Sequence, residues 1–170
     1  MTPGAGTYPT SEMSKAGLLA ARLFGSKLPA FRDRGEAERV LYRQRDELLG
    51  TLTDISRDSS AFRADFSPES LKDLEHWYFE LSEGAGFGPI GIDKETFERT
   101  IAMYLGEVVV RNAPSFDWFV AEFAFEQGRF EIGVESPLLQ VMLSRLSPVP
   151  RERNKRELSI WRMYRKYTGQ

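Results

Sequence analysis

Apolar positions recur at helical spacing over most of this chain and at strand spacing over two short stretches. Over 35–56, Ala37, Val40, Leu41, Leu48, Leu52 and Ile55 return about every 3.6 residues, with Gln44 as one polar interruption, and predict a helix. Leu18, Leu19 and Leu23 predict a shorter amphipathic helix over 15–25, and Pro29 marks 26–34 as a connector. The run DSSAFRADFS then alternates, with Phe62, Ala64 and Phe66 on one side and Arg63 and Asp65 on the other, which predicts a half-buried strand. Ser67-Pro68 offers an N-cap and a first helical residue. Leu71, Leu74, Trp77, Tyr78 and Leu81 form the apolar face of the helix that follows, ending near Glu83. The glycine-rich connection GAGFGPIG leads to Asp93, the predicted cap of a helix over 94–111.

The second alternating stretch is 116–135, which predicts a hairpin closed by a two-residue turn at Gln127-Gly128. That turn sets Phe125 opposite Phe130, Phe123 opposite Ile132 and Ala121 opposite Val134. It places these residues and Phe119 on one face, with Glu122, Glu126, Arg129 and Glu131 on the other. Ser136-Pro137 predicts a short helix through Leu146, SPVP (147–150) a stiff linker, and Leu158, Trp161, Met163 and Tyr164 a last helix over about 152–167. This order implies an α+β fold: a small antiparallel sheet of about three strands packed against several helices, the first strand lying beside the hairpin. Residues 1–14, rich in Gly, Pro, Thr and Ser with Glu12 as their one charge, read as a disordered leader. Residues 15–150 read as a single domain, and 151–170 as a basic helix docked on it.

Composition narrows the chemistry. The 170 residues include no cysteine, which excludes disulfides, thiolate metal sites and a cysteine nucleophile. His76 is the one histidine, so no multi-histidine metal site exists, and no G-x-S-x-G elbow offers it a serine partner. GAGFGPIG follows a helix and precedes no Lys-Ser/Thr, which sets it apart from nucleotide-binding glycine loops. Neither a cofactor nor a metal is expected. No apolar run reaches the length of a membrane span, and a cytoplasmic location is expected. The net charge of −2 hides an asymmetry: residues 145–170 hold eight basic and two acidic residues, leaving the rest of the chain at −8.

The segment MYLGEVVVR sets a glycine and a carboxylate inside an apolar run. On a helix, Phe97, Ile101, Tyr104, Leu105 and Val108 share one stripe while Met103, Gly106 and Val110 lie near the opposite side, so both sides are apolar and the helix is a central one. Glu107 reaches Arg111 at i+4. The three valines also suit a strand from Glu107 onward. The run YLGEVVVRN, followed by Trp118 and preceded by FSPESLKDLEHW, resembles small uncharacterised bacterial α+β domains over roughly residues 60–135. In these a Tyr-x-Gly-Glu helix precedes a tryptophan strand. The resemblance implies no fixed activity; some proteins of this general look bind other proteins, immunity proteins among them.

The expected function is therefore a non-catalytic protein-binding or regulatory, immunity-like module, acting on a partner protein or a second copy of itself. Candidate binding residues are Tyr104, Glu107, Trp118, Glu122, Glu131, Arg162 and Arg165. Two alternatives stand beside it. The carboxylates Asp65, Glu69, Glu107, Glu122, Glu126, Glu131 and Glu135 suit an acid–base enzyme, and the basic, aromatic tail RERNKRELSIWRMYRKY suits nucleic acid.

Overall fold

The computed structural model describes residues 14–145 and 159–170. Helix α1 spans Lys15–Gly25, α2 Arg34–Arg57, α3 Ser70–Glu83 and α4 Lys94–Asn112. Strands β1 (Asp117–Glu122), β2 (Phe130–Ser136) and β3 (Leu139–Met142) follow, and α5 spans Ser159–Thr168. The fold is α+β, with an antiparallel sheet in the order β1-β2-β3. The leader, the 147–150 linker, Leu158 and the expected start of the last helix lie outside the described residues.

The helix starts are set by short polar side chains. Asp33 accepts from the Glu36 N–H at 2.8 Å and Asp93 from the Thr96 N–H at 2.7 Å, each satisfying a donor that the first turn leaves open. Helix α4 is the centre of the molecule. Ten of its residues, from Phe97 to Val109, are buried, and α2, α3, α5, β1 and β2 all pack on it. Its valines continue the helix instead of starting a strand, because both flanks find apolar cover.

Three expected features come out differently. Residues 58–69 form no strand; the sheet takes its third strand from β3. The alternation there is real, since Phe62 is buried while Arg63 and Asp65 are exposed, but it reports sidedness and not pairing. Side chains bind the backbone in place of a ladder: the Ala64 N–H donates to Ser56 Oγ (3.3 Å) and the Phe66 N–H to the Tyr104 hydroxyl (2.9 Å). Ser136-Pro137 starts no helix. Pro137 and Leu138 turn β2 into β3, where Ser136 faces Leu139.

The β1–β2 register also differs. Ile132 faces Val120 and Val134 faces Trp118, so β1 slides by three residues and its residues exchange faces. Phe130 through Val134 are all buried, so β2 is covered on both sides and sorting apolar from polar does not select a register. Gly133 helps to fix it: a Cβ there would lie 2.9 Å from the Phe119 ring and 2.3 Å from the Val141 carbonyl oxygen. Gly128 does take a positive φ of 80°, but inside a longer connection, where its N–H donates to Glu122 Oε1 at 2.7 Å.

Candidate functional site

The glycine and the carboxylate of α4 serve one neighbour, Trp118 of β1. A Cβ on Gly106 would lie 2.5 Å from Trp118 Cη2 and 2.5 Å from Leu143 Cδ1, so the missing side chain is the notch that admits the indole. One residue on, Glu107 Oε2 accepts from the Trp118 indole N–H at 2.9 Å. Its other oxygen accepts from Arg111 Nε at 2.8 Å. Trp118 is thus placed by shape at one end and by a charge-assisted hydrogen bond at the other.

Arg111 carries the arrangement further. Its guanidinium carbon lies 3.7 Å from the Phe66 ring centroid, a close cation–π contact. Phe66 is the one described non-glycine residue with a positive φ, 59°, a conformation that costs a bulky side chain energy. Helix α4 holds it there from both sides of the peptide. Tyr104 Oη accepts from the Phe66 N–H, and Asn112 Nδ2 donates to the Phe66 carbonyl at 2.9 Å. The hydrogen bonds have one direction. Ser70 spends its proton on the Ser67 carbonyl (2.6 Å), so the 2.7 Å contact between Ser70 and Tyr104 has the tyrosine as donor. Burial raises the Tyr104 pKa, against smaller lowering by its Ser70 and Phe66 hydrogen bonds, which keeps that donor proton in place. Asp65 is held below the usual carboxylate range, chiefly by the Ser67 hydroxyl.

On the α2 side, Arg45 lies 4.9 Å from the Trp118 ring and 4.8 Å from the Tyr42 ring, and the Tyr42 hydroxyl donates to the Trp118 carbonyl at 3.3 Å. The result is a ladder of rings and charges in the order Tyr42, Arg45, Trp118, Glu107, Arg111, Phe66. None of the six is fully buried, and the Arg111 side chain is 52% exposed. Each rung is fixed by its neighbours, and Arg111 is the rung most open to solvent, the Arg45 side chain being 17% exposed.

The seven residues expected to bind do not form one site. Tyr104, Glu107 and Trp118 come together, although Tyr104 is buried and acts from beneath. Glu122 is exposed and ties down the β1–β2 connection. Glu131, expected on a solvated acidic face, is buried, and the Ser144 hydroxyl donates to it at 3.1 Å; its face of β2 is covered as the Ile132 face is. Arg162 and Arg165 are exposed on α5, which packs on α3 and α4 through buried Ile160 and Tyr164. Trp161 already has Lys72 at 4.3 Å and Arg165 at 4.9 Å from its ring, which leaves it poorly placed to stack a base. Sequence reasoning missed Tyr42, Arg45, Phe66 and Asn112. The signal for the first pair was their i,i+3 spacing on α2, beside the stripe traced through Gln44. Among the described residues no group of three or more His, Asp or Glu is placed to hold a metal ion.

Comparison with known proteins adds a family. The model of the family described as "Uncharacterised protein YwmA" matches residues 30–168. The uncharacterized protein YwmA of Bacillus subtilis (strain 168) is 24% identical over 110 residues, covering 65% of this chain and 69% of that protein. No solved structure matches. The match extends the resemblance read from YLGEVVVRN over nearly the whole chain, and it leaves α1 outside.

Proposed function

The chain belongs to the YwmA family of uncharacterised bacterial proteins, and on that premise we propose that it is a non-catalytic protein-binding module whose contact surface is the ladder from Tyr42 to Phe66. The observation that supports this reading is the composition and order of the ladder. Trp, Tyr and Arg dominate the residues that carry binding energy at protein interfaces. Here they are fixed before any partner arrives, so association loses little side-chain entropy. The carboxylate of Glu107 has both oxygens engaged, by Trp118 and Arg111, and serves as a strut between them.

A photocrosslinking amino acid at Asp46, next to Arg45, and at Arg99 on the first half of α4 tests this reading. Both positions are exposed. The expected result is a protein adduct in cells from position 46 and none of the same mass from position 99. Equal adducts from both positions, or none from 46, would contradict it.

A further inference from the structure

Helix α1 carries an apolar stripe that the other described residues leave open. Ala16, Leu19, Ala20 and Leu23 stand at i, i+3, i+4 and i+7 and are all exposed, Leu19 at 60% and Leu23 at 59%. That spacing puts them on one side of the helix. The side facing the body is different: Gly17, Ala21 and Phe24 are half-buried, Gly25 is buried, and Phe24 packs edge-on against Phe123 at 5.6 Å. The stripe therefore points away from the body, where a flat surface meets it without collision.

Charge decides what that surface is. Lys15 and Arg22 border the stripe, and Lys27 and Arg32 follow the helix. No carboxylate occurs from residue 13 to residue 32, in a chain with 25 acidic residues. Glu126 faces α1 on the body side at Gly25, where it pairs with Arg129 at 3.3 Å. A second copy of α1 is a poor occupant, because two stripes in contact would bring cations together with no carboxylate between them. The face also offers no hydroxyl, amide or carboxylate to fix a register on a protein partner. It offers methyl groups and cations on flexible stems, which reach phosphate level while their neighbours insert.

We propose that α1 docks this protein on an anionic lipid surface, with Leu19 and Leu23 inserted among the headgroups and Lys15 and Arg22 on lipid phosphates. The acidic body between α1 and the basic C-terminal segment is repelled by such a surface, which leaves α1 as the contact that carries apolar side chains into it. This docking is peripheral; no helix among the described residues is long and apolar enough to cross a membrane. It does not depend on the ladder, and the two surfaces are separable by mutation.

The test is co-sedimentation of the full chain with phosphatidylcholine vesicles, with and without phosphatidylglycerol. The chain is expected to bind the anionic vesicles alone and to release as salt rises. Lys15→Gln and Arg22→Gln are each expected to weaken binding about fivefold. The charge-neutral double variant Leu19→Gln/Leu23→Gln is expected to abolish binding with an unchanged circular dichroism spectrum and melting temperature. Failure of the wild-type chain to sediment with anionic vesicles at low salt overturns the proposal. So does binding that survives the double leucine variant, which would assign it to the basic C-terminal segment. Loss of self-association or of a protein partner in that variant, without vesicle binding by the wild type, also overturns it in favour of a protein surface.

Discussion

Gly106 gives the sharpest prediction at the scale of one residue. Helix propensity alone favours Gly106→Ala by about 1 kcal/mol. The notch argues the opposite, since a methyl there meets Trp118 and Leu143 at 2.5 Å and neither a buried indole edge nor a buried leucine yields easily. The expected outcome is a net loss of roughly 1–3 kcal/mol, from overpacking, in chemical denaturation. At Glu107 the two functions of the carboxylate separate. Glu107→Gln keeps an acceptor for the indole N–H and loses an ion pair that is open to solvent on its arginine side, for a cost of about 0.5–1 kcal/mol. Glu107→Ala leaves that N–H without an acceptor and is expected to cost about 1–3 kcal/mol. Tyr104→Phe strands the Phe66 N–H, with a similar expected cost. Of these residues, Tyr104, Glu107 and Trp118 were legible as candidates in the sequence. The partnership of Glu107 with Trp118 was not, because nothing in the spacing says that a strand eleven positions later returns to the same turn of α4.

Among the elements, four helices and a three-stranded antiparallel sheet were legible, while the pairing within the sheet and the strand turn at Ser136-Pro137, read as a helix start, were not. Helices α1, α2 and α4 stand within two residues of their predicted spans, because apolar spacing and an Asp cap are local signals. Strand pairing depends on what covers each face. Val120 and Trp118 pair with β2 where Phe123 and Ala121 were expected, and Phe123 packs instead on α1. The segment 58–69 shows the same limit, since its alternation was visible but its hydrogen-bond partners lie on α2 and α4. The caps carry an acid prediction. Asp33 and Asp93 have pKa values below 3.8, each chiefly through a backbone N–H hydrogen bond, and Asp65 through Ser67. Their folded pKa values are depressed, so the stability they contribute is present above 3.8 and is lost as pH falls through the lower folded values. Thermal melts from about pH 5 to about pH 2 are expected to show this loss, and Asp33→Asn/Asp93→Asn, which keeps the caps without the titration, to flatten it.

The whole molecule is an acidic body, a basic C-terminal segment and a cationic first helix, with its chemistry stored in aromatic residues. Burial raises the pKa of Tyr42, Tyr104 and Tyr167, and burial with the Glu98 hydrogen bond pushes Tyr78 up to about 12. For these groups the sign reverses: stability is complete below 10.0 and is lost as pH rises towards 12. Tyrosinate absorbance is expected to lag behind free tyrosine and then rise together with unfolding. The ladder reading is tested most directly by comparing recovery of the position-46 crosslinked partner with wild-type, Glu107→Gln and Arg45→Ala/Arg111→Ala chains as bait. The account predicts near wild-type recovery with Glu107→Gln, and at least about thirtyfold weaker binding with the arginine double variant while it remains folded. Undiminished binding by that double variant would contradict it.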